Sequence, residues 1–246
     1  TIHAGTSCAL IVIACLFSLS CYMSVVINNT NDMDYTTYFI SMLVWLLAAY
    51  ASVRCIKWAH GYTNINLICY YIIILCCIQC LLALSFVMMP GVKAFFARVV
   101  LIGYESNAWE SRLHGLGASY DTAGIRFCVA LSLLGYLMST TKYSKGQLYV
   151  LAIIFWVIFF LGNMMARTTS VGAIIAVLYL FYKSKLLSSQ VSVSAVKALI
   201  CMTISVVVLS PFLMLLYNSS SEVRDLAQFG FEFIFQYKAT GEIATR

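Results

Sequence analysis

The sequence predicts an all-α fold, a polytopic transmembrane helical bundle with about seven spans, and three observations lead there. Of the 246 residues, 62% are hydrophobic and only 10% charged, where a soluble domain carries roughly 25% charged residues. Several apolar runs reach the ~20 residues that cross a ~30 Å hydrocarbon core as helix. The charges that remain gather between those runs, with a strong asymmetry of sign. Backbone N–H and C=O groups inside lipid must be satisfied within the protein, and long apolar runs achieve this as helices.

The first run, 8–27, is a full span, longer than the apolar core of a cleavable signal peptide. Spans at 36–53 and 65–89 follow, the second closed by Pro90-Gly91, a helix stop. Residues 94–104, AFFARVVLIGY, are apolar with Arg98 embedded and read as a short helix lying in the membrane interface. Further spans cover 122–139, 148–165, 168–182 and 197–217, leaving two larger polar loops at 90–121 and 218–246. Within the last loop, FGFEFIFQY alternates at period two yet also fits a surface helix. Its phenylalanines are expected to dip into lipid while Glu232 points to water. The spans form a single membrane domain, 1–246, and the chain, which opens at Thr1 and stops at Arg246 in a polar stretch, reads as a fragment.

Alternate loops fall on opposite sides of the membrane. One side holds Arg54, Lys57, Lys142, Lys145, Lys183, Lys185 and Lys197 and no acidic residue; the other holds all nine carboxylates. Lys and Arg in short loops mark the cytoplasmic face. The beginning of the chain is therefore expected inside, and loops 90–121 and 218–246 outside. That orientation excludes a G-protein-coupled receptor, whose N-terminus lies outside.

Nine of the ten cysteines lie in apolar spans, which marks them as packing residues rather than a disulfide framework; the pair Cys77-x-x-Cys80 is read the same way. The net charge of +6 is spread over several loops, so no basic patch points to nucleic acid.

Arg167 is the only charge between Leu148 and Tyr182. Residues 145 and 183 lie on one side, so these 35 residues must cross twice, although two comfortable spans need about 40. The first arm rises roughly 28 Å and the second roughly 22 Å, which sets the hairpin tip at or just below the outer boundary. Gly162 and Gly172 flank it, as expected where backbones approach closely. An arginine there either snorkels to the headgroups or offers its planar fork to a phosphate or carboxylate. Thr168, Thr169 and Ser170 would add hydroxyls, and the following helix start would add free N–H groups and the positive end of its dipole. The local pattern favours an anion.

The stretch 104–126, YESNAWESRLHGLGASYDTAGIR, holds Glu105, Glu110, Arg112, His114, Asp121 and Arg126, the densest cluster of titratable and anion-binding groups in the chain. His114 is the only histidine on the outer side, and an unperturbed pKa of about 6.5 suits acid–base work.

RLHGLGASYDTAGI (112–125), MMARTTSVGA (164–173) and the closing FGFEFIFQYKATGEIATR, in that order, resemble the Wzy-type O-antigen polymerases, which share a superfamily with the O-antigen ligases. The resemblance covers roughly residues 90–246. It departs from the pattern at the second motif, where AR stands in place of the ligases' usual SR, and in the arginine-to-glycine spacing of the first. It implies an inner-membrane glycosyltransferase that joins undecaprenyl-diphosphate-linked oligosaccharide units at the periplasmic face, without metal, nucleotide sugar or other cofactor. Membrane lipid and a chain-length regulator protein are the partners it implies. The residues offer no ligand-spaced His/Asp cluster, and the one DxD, Asp32-Met33-Asp34, lies outside the stretch that carries the resemblance. In that chemistry Arg112 and Arg167, with Arg98 and Arg126, would bind the substrate diphosphate, and His114, Asp121 or Glu232 would accept the acceptor's proton. The alternatives left open are an O-antigen ligase of the same superfamily and a polytopic transporter or flippase of lipid-linked sugars.

Overall fold

The computed structural model describes residues 4–31, 33, 35–98, 113, 120–185, 192–219, 221–232 and 235–237. Every regular element among them is helical. The chain forms two compact units, Thr1–Ile68 and Cys69–Arg246.

The first unit is a helical hairpin of α1 (Ala4–Asn28) and α2 (Tyr38–His60). Its two helices meet through Ser18, whose Oγ accepts the Phe39 N–H at 3.0 Å. Close by, the Phe17 and Tyr38 rings pack edge-on, 5.2 Å between centroids. Ala14, Ser18 and Val25 are the buried positions of α1, spaced as one helical face. Gly61 ends α2 at φ +74°, the left-handed conformation that glycine adopts without penalty.

The second unit contains α3 (Ile65–Met88), whose first residues belong to the hairpin unit, then α4 (Pro90–Ala97), α5 (Tyr120–Thr140), α6 (Lys145–Met165), α7 (Thr169–Ser184), α8 (Val193–Ser219) and α9 (Ser221–Gly230). α5 is its axis, packed against α6, α7 and α8. Phe127, Leu131, Leu134, Leu137 and Met138 of α5 are fully buried, against Phe155 and Ile158 of α6. α5 and α7 approach closely because both present small residues. A Cβ on Gly172 would reach the Cys128 carbonyl carbon at 2.8 Å, and one on Gly135 would meet the Ala176 backbone at 3.0 Å. Small residues four apart are the usual means of close helix approach in lipid, where packing rather than hydrophobic burial drives association. α8 is tied to α6 by the Trp156 indole, which donates to the Met202 carbonyl at 3.0 Å and sits 3.1 Å from Ser205 Oγ.

Six of these helices, α1, α2, α3, α5, α6 and α8, are long and apolar enough to cross a membrane, and α7 is a shorter apolar helix of 16 residues. Large apolar side chains such as Ile174, Leu178, Val207 and Leu215 face outward. An apolar exterior of that kind belongs in hydrocarbon rather than water. The chain is a multi-pass membrane protein.

Two sequence expectations shift, and one open alternative closes. Pro90 stops α3 but opens α4 at its first position, where a missing N–H costs nothing, so the short helix starts at Pro90 and runs to Ala97; residues 99–104 of the expected 94–104 lie outside the described residues. α5 begins at Tyr120 and takes Asp121 out of the loop. The closing segment, left open between period-two alternation and a surface helix, is helical where described: α9 is followed by a further turn in which Phe235 N–H donates to the Phe231 carbonyl at 3.3 Å.

Candidate functional site

The hairpin of α6 and α7 turns over in three residues, Ala166 to Thr168. A capping box of Ser144 and Gln147 fixes the start of α6. Its far end breaks at Ala166, whose backbone is extended (φ −151°, ψ 123°). α7 rises about 24 Å for its 16 residues, less than the ~30 Å of a hydrocarbon core. The short second arm expected from the sequence is therefore present.

Three other segments converge on this tip. The start of α5 touches it at Gly124, where a Cβ would meet the Ala166 Cβ at 2.8 Å. Leu113, fully buried, donates its N–H to the Met164 carbonyl at 3.1 Å. α9 lies across the end of the bundle on α6 and α8, with Val223, Leu226 and Gly230 turned inward at helical spacing. Gly230 allows that close approach, since a Cβ would fall 3.0 Å from the Asn163 carbonyl, tighter than ordinary contact.

That close approach delivers the closing segment to Arg167. The guanidinium forms an ion pair with Glu232, donates from Nε to the Phe229 carbonyl at 3.2 Å and lies over the Phe229 ring, 4.5 Å from its centroid. Glu232 Oε1 also accepts from Gln236 Nε2 at 2.9 Å. Two residues proposed from separate motifs, 65 positions apart, are thus in contact. Glu232 does not point to water as expected: its side chain is 21% exposed and turned to the hairpin, while Arg167 keeps 34% exposure. A cation at the tip outcompetes solvent for the carboxylate, and Gly230 removes the steric barrier to their meeting.

The helix start beyond Arg167 is not the open anion cradle expected. The N–H groups of Thr169, Ser170 and Val171 donate to the carbonyls of Ala166, Arg167 and Thr168 at 3.0–3.1 Å. Ser170 Oγ is spent on Asn163 Oδ1 at 2.7 Å. Thr169 is fully buried against Gly162, and its Oγ1 has no partner among the described residues. Only Thr168 keeps an exposed position. Recognition of an anion at the tip therefore rests on the arginine fork itself.

The other proposed residues are distributed as follows. Arg98 ends α4, exposed. Arg126 is on α5 but two residues from Gly124, about 200° around the helix, so it faces α3 and not the tip; its carbonyl lies 3.7 Å from Cys76 Sγ. Arg112 and His114 lie outside the described residues, though Leu113 between them is anchored to Met164. Asp121 sits in the first turn of α5, its side chain outside the described residues.

Asn163 was not proposed from the sequence and is the buried hinge of the tip. It is fully buried, donates Nδ2 to the Phe159 carbonyl at 2.7 Å and accepts from Ser170 across the turn. Its signal was an amide standing alone in an apolar run, in the same stretch that drew attention to Arg167. Compared with family models, curated proteins and solved structures, the chain has no match.

Proposed function

We propose that this chain is a membrane glycosyltransferase that polymerises undecaprenyl-diphosphate-linked oligosaccharide units into O-antigen or capsular polysaccharide, at the periplasmic face of a bacterial inner membrane. The observation that carries the reading is the contact of Arg167 with Glu232 at the end of a hairpin too short to leave the membrane. A polyprenyl diphosphate presents its charge at that level and keeps its tail in hydrocarbon. The acceptor hydroxyl oxygen attacks the anomeric carbon of the donor sugar, and the bond from that carbon to the diphosphate oxygen breaks. The hydroxyl proton passes to a carboxylate, and the polyprenyl diphosphate leaves with the electron pair.

Arg167 answers the charge that builds on the leaving group, as a fixed cation placed where charge develops. In the resting protein its fork is occupied by Glu232. An arriving diphosphate competes for the same donors and frees the carboxylate to act as base, so donor binding and base release are one event. Arg112 and His114, on either side of the anchored Leu113, are the reserve for a second cation and an alternative base. The proposed role of Arg126 in diphosphate binding at this tip is dropped, because its helix face is the wrong one.

The test uses Arg167→Lys and Arg167→Ala in a strain that depends on this gene for its surface polysaccharide. Lysine keeps the charge but not the bidentate fork. Both variants are expected to leave single, unpolymerised repeat units with the protein still in the membrane, a loss on the order of a hundredfold or more in rate. Long-chain polysaccharide from Arg167→Lys would refute the reading, as would polymerisation in membranes that EDTA abolishes and magnesium restores. Normal repeat polymers that never join the lipid A core would point to the ligase instead.

A further inference from the structure

A half-open groove of about 470 Å³ runs between α3 and α5, a volume within the range of small-molecule sites. Ile72 and Leu75 of α3 and Ile125 and Val129 of α5 form apolar walls, and Arg126 supplies the one cation among the lining residues. Arg126 stands in the spanning part of α5, four residues past Thr122, about 6 Å along the axis. Among the described residues no carboxylate pairs with it; the one ion pair among them joins Arg167 and Glu232. A charge inside a span is costly unless something answers it, and such a residue marks a binding site by default.

We propose that this groove holds one bilayer phospholipid, its phosphodiester on the Arg126 guanidinium and an acyl chain along the apolar walls. Charge complementarity selects the occupant. One planar fork matches one singly charged phosphodiester, whereas a diphosphate would need further cations, and none lines the groove. Cys76 and Gln79 complete the lining, and the apolar walls match a hydrocarbon chain. The bound lipid completes the loose seam between α3 and α5 as part of the folded protein, and it does so independently of the activity proposed at the hairpin tip.

The experiment is native mass spectrometry of the full-length protein, delipidated in detergent and titrated with phosphatidylglycerol. One lipid per chain is expected to stay bound. Arg126→Gln should weaken its retention on the order of tenfold or more, with Arg126→Lys between it and the parent. Val129→Trp, which fills the groove and leaves the cation in place, should release the lipid as well. Lys93→Gln, an exposed charge on α4, should change nothing. Circular dichroism confirms that each variant is folded. Equal retention by the parent and Arg126→Gln overturns the proposal, as does a polyprenyl diphosphate displacing the phospholipid from the parent but not from Arg126→Gln.

Discussion

Removing the Arg167 side chain should release the closing segment from the hairpin, and the contacts set the size of the effect. The guanidinium makes three interactions with residues 229–232: an ion pair, a 3.2 Å donation to the Phe229 carbonyl and a 4.5 Å stacking on its ring. A partly exposed ion pair contributes about 0.5 kcal/mol. A charged donor to a carbonyl contributes roughly 1 kcal/mol when discounted for the 34% exposure of Arg167, and the ring contact adds roughly 0.5 kcal/mol. Together they hold the segment by about 2 kcal/mol, or roughly a thirtyfold bias toward the docked state. Arg167→Ala should therefore raise the hydrogen-exchange rate of the α9 amides by roughly thirtyfold, if exchange proceeds through undocking. Arg167→Lys, which keeps the charge but neither the Nε donor nor the planar stack, should raise it about tenfold. Glu232→Gln removes only the ion pair and should raise it two- to threefold. Unchanged exchange across 221–232 in Arg167→Ala would show that Val223 and Leu226 alone dock the helix, and the coupling between donor binding and base release would fall with it.

Other expectations follow from the packing and the charge distribution. Gly172→Ala should lower the melting temperature in detergent, since its methyl would press on the Cys128 backbone and overpacking of that kind costs about 1–3 kcal/mol; Gly146→Ala, with open space around it, should be neutral or stabilising, and equal melting of the two would refute the close α5–α7 crossing. Asn163→Ala should cost about 1–3 kcal/mol by orphaning the Ser170 hydroxyl and removing the amide's own bond to the Phe159 carbonyl, and it should cost less in a Ser170→Ala background; additive losses would show that the two side chains act apart. Alkaline phosphatase fused after Asn107 should be active and after Lys142 silent, following the positive-inside asymmetry; the reverse would invert the protein.

The bundle was legible in the sequence because lipid leaves so few solutions. Runs such as 65–89 and 148–165 have one stable conformation there, so composition alone names the element. The hairpin was legible for a similar reason: 35 residues between two basic loops leave no freedom in where Arg167 stands. Gly172 could be read as a close approach because little else explains a glycine inside a spanning helix. What could not be read was direction. Glu232 among its phenylalanines is compatible with lipid, water or protein, and only the meeting of α9 with Asn163 through Gly230 decides. The N–H groups at the start of α7 looked available by helix geometry, yet a three-residue turn supplies its own carbonyls and uses them up. Arg126 was grouped with Arg112 by nearness in sequence, although residues 124 and 126 look in opposed directions once both are on a helix.

The misreadings of Glu232 and of the α7 N–H groups share one cause, and it bears on the chemistry. Each assigned a polar group to solvent or ligand when a nearer partner within the protein was at hand, and in a membrane such internal pairing is the lower-energy choice. The consequence for Arg167 is that any ligand must displace Glu232 and the Phe229 carbonyl before it binds. A singly charged headgroup gains little by that exchange, because it replaces one carboxylate with one phosphodiester. A diphosphate brings more charge and more acceptor oxygens to the same fork, and so shifts the balance where a bulk phospholipid does not. On the proposed reading the ion pair acts as a filter on what opens the site, and the abundant lipids of the surrounding bilayer are the ligands it keeps out.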